Sequence, residues 1–181
     1  MDPFGTHKDI LDYYVKISSG DILELGTGNT STSIVKKYIN ETPNRKLVSV
    51  DNDEDWLNKM LIDHPPSANH NYILVHDWDY VLNELSTRKW GVVFIDQKPW
   101  EARTASLQTF KNTADYIIIH DVDYFPKNNI FGKVLNQFEF DFSDQFKDWK
   151  LYYPRGKWPS PTGPPTLVGT NLGHPIYKGI L

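Results

Sequence analysis

The chain has 181 residues, 39% of them apolar and 23% charged, with a formal net charge of −4, enough for one domain with a full core and too few for two ordinary ones. The charge balance gives no basic footprint for nucleic acid, no apolar run approaches bilayer length, and MDPFGTHKD has neither the basic start nor the apolar stretch of a secretory signal. The absence of cysteine excludes disulfides and thiolate metal sites and fits a reducing, cytoplasmic location.

A single domain over 1–181 is expected, opening with an N-terminal helical segment, residues 1–20. Ile22–Leu25 reads as a short buried strand. Ser31–Ile39 reads as a helix with Ile34, Val35 and Tyr38 on one face. Leu47–Val50 forms a second strand ending at Asp51, and Asp53 caps a helix that carries Trp56, Leu57, Met60 and Leu61 to Ile62. HPPSANHN is a loop by its prolines and polar residues. Tyr72–Val75 is a third strand, followed by a short helix around Val81–Leu85. Gly91–Ile95 and Tyr116–Ile119 are continuous apolar runs, the pattern of strands covered on both faces. A helix over 101–112 joins them and another follows Lys127. Strand–helix alternation of this kind predicts a doubly wound α/β fold with a mostly parallel sheet. After Trp149 the texture changes to proline and glycine, with strands at Lys150–Tyr153 and Thr166–Thr170. Residues 147–181 are therefore expected to form an antiparallel hairpin, with a proline-rich loop, on the sheet edge.

Ligands of open α/β sheets bind beyond the carboxyl ends of the strands. Here those ends read Glu24-Leu25-Gly26-Thr27-Gly28, Asp51, His76-Asp77, Asp96 and His120-Asp121. Capping explains one acid; five on one rim are more than capping requires. Gly26 and Gly28 let the first turn approach a ligand, and Thr30 and Ser31 can cap the helix whose N-terminus follows. Taken alone, the Gly-x-Gly fits a tight turn equally well. Asp51, closing the next strand where a carboxylate can take both ribose hydroxyls, favours a nucleoside-binding βαβ unit. Ser31 stands where a dinucleotide fold has its third glycine, which argues against pyrophosphate.

The run ELGTGNTST resembles the first motif of class I S-adenosylmethionine-dependent methyltransferases. VSVDND, VHDWDYVLNEL, GVVFID and YIIIHD resemble the later motifs of that family in order, over residues 20–125. The resemblance implies a Rossmann-like, seven-stranded sheet whose last, antiparallel pair is the C-terminal hairpin. It implies S-adenosyl-L-methionine as cofactor, with Glu24, Gly26 and Gly28 along its methionine and ribose portion and Asp51 on the ribose. Asp77 would meet the adenine, with Trp78 as a stacking wall or a core residue. Asp96 would lie near the methyl group, with His120 and Asp121 as proton acceptors. Some O-methyltransferases of this kind hold a divalent cation such as Mg or Mn at these strand ends, and Asp96, Asp121 and Asp123 could supply oxygen ligands. Val122 departs from the catechol-type pattern, which has Asn there.

DQKPWEAR resembles a fourth-strand segment of methyltransferase-like proteins and of some polysaccharide-modifying enzymes. It points Arg103 at the cleft, although a surface ion pair is the commoner fate of such a side chain. With Trp100, Tyr124, Phe125, Tyr152, Tyr153 and Trp158 in or near loops, it makes a sugar or other small hydroxyl the leading acceptor. Nucleic acid is disfavoured by the missing basic patch. Two rivals remain at this level. Asp121-Val122-Asp123 could be the Asp-x-Asp of a metal-dependent glycosyltransferase, and the chain could be an inactive methyltransferase fold that serves as a binding module.

Overall fold

In the computed structural model of the chain, the described residues are 5–122, 132–136, 139–153 and 164–181. The elements run α1 (Lys8–Ile17), β1 (Ile22–Leu25), α2 (Asn29–Glu41), β2 (Leu47–Asp51), α3 (Glu54–Asp63), β3 (His70–Leu74), α4 (Trp78–Leu85), β4 (Trp90–Ile95), α5 (Trp100–Phe110) and β5 (Ala114–Ile119). They continue with β6 (Lys133–Asn136), β7 (Glu139–Asp141), β8 (Asp148–Tyr152) and β9 (Thr166–Thr170). Seven strands form one sheet in the order β3-β2-β1-β4-β5-β9-β8. β1 to β5 are mutually parallel, and β9 runs antiparallel between β5 and β8. The doubly wound sheet and the antiparallel C-terminal pair thus follow the sequence expectation. β6 and β7 add a separate two-stranded hairpin that the sequence did not suggest. A helix is expected after Lys127, but where that stretch is described it forms β6, Lys133–Asn136; residues 123–131 and the proline-rich loop at 154–163 lie outside the described residues.

Alternation along the strands divides the core in two. Leu23, Leu25, Val48, Val50, Val93, Ile95, Ile117 and Ile119 face α4 and α5, with Val81, Leu82, Leu85, Leu107 and Phe110 packed on them. Ile22, Leu47, Val92, Phe94, Tyr116 and Ile118 face the opposite layer, where α1 and α2 supply Ile10, Leu11, Tyr14, Ile34, Val35 and Ile39. Two buried clasps seat α1. The Tyr14 and Tyr152 hydroxyls meet at 2.6 Å. Arg45 donates to the Gly20 and Val15 carbonyls and to the Ser18 hydroxyl. Among the described residues no helix is long and apolar enough to cross a membrane.

The ladder continues one residue past the strands. Gly26 N–H donates to Val50, Asp96 N–H to Leu25 and His120 N–H to Ile95, at 2.8–3.1 Å. Gly26, Asp96 and His120 therefore stand abreast on the carboxyl rim.

Candidate active site

A cleft of about 590 Å³ opens on this rim. Gly26, Thr27, Gly28, Thr30, Ser31, Asp51 and Asp96 line it, together with His7, Asn29, Asn52, Asp53, Trp56, Gln97 and Lys98. Its shape starts from Gly26. With φ +84°, a Cβ there would lie 2.6 Å from the Asp96 carbonyl, so only glycine lets the β1 turn cross the end of β4. Gly28 then caps α2 in extended backbone, and Asn29, Thr30 and Ser31, the first turn of that helix, line the cleft.

Asp51 organises the second wall. One carboxylate oxygen accepts from the Thr27 amide and hydroxyl, both at 2.7 Å, and the other accepts from the Asp53 amide at 3.0 Å. Trp56, on α3, donates its indole N–H to the Thr27 carbonyl at 2.8 Å and presents its ring to the cleft. At sequence level Trp56 looked like one of four apolar residues on a helix face; the signal that separates it is its place one turn after Asp53, beside the acidic strand end.

At the far wall, Asp96 meets Arg103 at 2.9 Å through one oxygen and His120 Nδ1 at 3.3 Å through the other. His120 Nε2 faces the Thr6 hydroxyl at 2.7 Å and the Asp121 carboxylate at 3.3 Å. His7, the N-cap of α1, sets its ring edge-on to that of His120 at 4.5 Å. Burial alone would raise Asp96, but His120 and Arg103 outweigh it and hold the carboxyl below its ordinary range. Burial opposes a charge on His120, yet Asp96 and Asp121 raise its pKa. Asp121 is raised, chiefly by burial and then by Asp96. Its backbone sits at φ 53°, a left-handed conformation that Asp tolerates better than most residues.

Several expected site residues are elsewhere. Glu24 is fully buried. Alternation turns it toward α2, where it accepts from Thr32 at 2.9 Å and Ser49 at 2.6 Å, and Ser49 in turn meets His70. Burial pushes its pKa up to about 7, while burial brings His70 down to about 4. Asp77 is exposed, caps α4 through the Asp79 amide, and does not line the cleft. Trp78 packs into the α4–α5 core and donates to the Lys98 carbonyl, so its ring is no stacking wall. Arg103 is 3% exposed. Its guanidinium is spent on Asp96 and on the Gln97 and His120 carbonyls, leaving no fork for an acceptor. Trp100 lies 3.9 Å from that guanidinium, ring to cation, rather than open to the cleft. Tyr152 is buried against Tyr14, while Tyr153 is half-exposed. Asp123, Tyr124, Phe125 and Trp158 lie outside the described residues. The all-oxygen metal set is not assembled by what is described, because Asp121 reaches the far nitrogen of His120 rather than the side that Asp96 faces.

No family model and no curated protein matches the sequence. Solved structures do match the fold. A chain of the Pnkp1/Rnl/Hen1 RNA repair complex superposes with a TM-score of 0.61 at 16% identity over 94% of this chain, which spans only 42% of that one. A putative caffeoyl-CoA O-methyltransferase from Staphylococcus aureus gives 0.60 at 10% identity, covering 94% of this chain and 84% of the other. Human methyltransferase-like protein 13, in complex with SAH, gives 0.59 at 14% identity, covering 97% and 82%. The fold is that of class I S-adenosylmethionine-dependent methyltransferases.

Proposed function

We propose that the chain is an S-adenosylmethionine-dependent methyltransferase acting on a hydroxyl acceptor. The observation that carries this reading is the cleft over β1, β2 and β4, where a glycine turn, a helix N-terminus and Asp51 converge on the rim at which such sheets bind ligands. Three carboxylates, Asp51, Asp53 and Asp96, line it against Lys98, an environment suited to a ligand bearing a sulfonium and an ammonium. Trp56 takes the place beside the nucleoside that the sequence assigned to Trp78.

In the reaction the acceptor oxygen forms a bond to the methyl carbon as the carbon–sulfur bond breaks, and the sulfur keeps the electron pair. Alignment supplies most of the rate. The acceptor's proton passes to the Asp96–His120–Asp121 cluster, in which His120 contacts both carboxylates. A sugar hydroxyl remains the first acceptor class to screen. The likeness to a chain of an RNA repair complex makes nucleotides and RNA the second.

The test is calorimetric titration with S-adenosylmethionine and with its product S-adenosylhomocysteine, beside UDP-sugars plus manganese. Micromolar binding of the first two is expected. Asp51→Ala should weaken it by about tenfold or more, through loss of two to three hydrogen bonds that shape the Thr27 turn. Manganese-dependent binding of a nucleotide sugar, with no response to either sulfur ligand, would replace this reading with glycosyl transfer.

A further inference from the structure

We infer that His7, Asp96 and His120 form a site for a borderline divalent transition-metal ion such as zinc on the acceptor side of the cleft, an inference that rests on the methyltransferase reading only for the metal's role. One donor atom from each residue lies within 4.8 Å of the others. His120 Nδ1 and Asp96 Oδ2 are 3.3 Å apart, close to the ~3.4 Å separating two tetrahedral ligands that are each about 2.1 Å from zinc. They are thus already at the spacing of neighbouring ligands, and His7 approaches edge-on from a third chain segment.

The surroundings are those of a held ligand set. Ligating histidines have their second nitrogen fixed by a carboxylate or other acceptor, and ligating carboxylates are themselves hydrogen-bonded. Here Asp121 and the Thr6 hydroxyl hold the far nitrogen of His120, while Arg103 grips the second oxygen of Asp96. With both imidazoles neutral, as ligation requires, Asp96 and Asp121 outweigh the charge of Arg103 by one. Two imidazoles and one carboxylate favour zinc, iron(II) or cobalt over magnesium or calcium, which take oxygen sets. Three protein ligands beside an open cleft leave a coordination position for an acceptor hydroxyl, whose pKa the metal would lower. This donor set differs from the all-aspartate one that the strand ends suggested, and it depends on a residue, His7, that precedes the sheet altogether.

Chelator-treated full chain is titrated with Zn²⁺, with Co²⁺ as a spectroscopic substitute and Mg²⁺ as the contrast. S-adenosylhomocysteine binding is measured on the same preparation. One equivalent of Zn²⁺ is expected, with a visible cobalt absorption of low-symmetry, nitrogen-containing coordination. His7→Asn and His120→Asn should each weaken the metal by roughly 100-fold or more, and Asp121→Asn, which keeps the left-handed backbone, by about 10–100-fold. Urea midpoints identify any variant that has lost its fold; Asp121→Asn then carries the test. Absence of stoichiometric Zn²⁺ binding, binding untouched by Asp121→Asn in a folded protein, or a preference for Mg²⁺ would overturn the site. If Zn²⁺ binds and S-adenosylhomocysteine does not, the metal site stands and the cofactor reading falls; the reverse result overturns the metal site alone.

Discussion

Glu24 shows how a single residue's parity decides its work. Leu23 and Leu25 flank it and face α4 and α5, so Glu24 must face α2, one step short of the turn it seemed to serve. There it forms a chain with Thr32, Ser49 and His70, and Thr32 also receives the Gly28 amide at 3.3 Å. The two buried ends titrate in opposite senses. Glu24 rises from 4.5 to about 7 on folding, and His70 falls from 6.5 to about 4. Between pH 4.5 and 6.5 the folded pair holds its one proton on Glu24 and the unfolded pair holds it on His70. Proton counts match, so their contributions to the pH slope of stability cancel. Glu24→Gln leaves His70 alone, and stability should then rise as pH increases from about 4 to 6.5. His70→Gln leaves Glu24 alone, and stability should fall as pH increases from 4.5 to about 7. Each slope should amount to on the order of 3 kcal/mol across its window, read from urea midpoints against pH. Two variants with parallel pH profiles would show that the pair is not coupled in this way. Strand alternation made the buried direction of Glu24 legible in principle; the glycine motif next to it drew attention to the rim instead.

At the scale of elements, Arg103 ties three segments together. From the first turn of α5 it reaches the Asp96 carboxylate, the Gln97 carbonyl after β4 and the His120 carbonyl after β5. Removing it leaves Asp96 with His120 as its remaining ionic partner and orphans the buried Gln97 and His120 carbonyls, so Arg103→Ala should cost about 3–5 kcal/mol. Arg103→Lys keeps the charge but cannot span three acceptors at once, and should still cost about 1–3 kcal/mol. Chemical denaturation checks both, and a lysine variant of unchanged stability would mean that charge alone suffices. The strands themselves were readable because each carries a cluster of apolar residues between turn signals, and β1, β2, β4 and β9 fall within a residue of the expected bounds. Helix ends were less so. α2 starts at Asn29 because Gly28 takes the cap, and α4 starts at Trp78 because Asp77 does, two caps whose neighbours had read as site residues. The β6–β7 hairpin escaped because KVLN and EFD are too short to show alternation. His7 and Trp56 reach the cleft through tertiary packing, which no local spacing announces.

For the whole molecule, cofactor affinity is a stability measurement. A ligand bound only by the folded chain at about 100 times its dissociation constant adds about 2.7 kcal/mol. In a domain of this size that raises the midpoint by roughly 5–10 °C. S-adenosylhomocysteine should produce this shift in a thermal melt, and Asp51→Ala, binding about tenfold more weakly or worse, should lose about half of it or more at the same concentration; an unshifted wild-type melt would count against the proposed cofactor. The order of strands carries a consequence for how such a molecule is made. β9, the strand synthesised after all the others described, is not an edge but the bridge between β5 and β8. While a ribosome is still translating residues 153–166, the emerged chain presents one flank of β5 with no neighbour, its Ile117–Ile119 pairing groups open. An apolar strand with a free edge is a template for other chains. Newborn copies therefore depend, for those seconds of elongation, on whatever chaperone or sparse spacing keeps them apart.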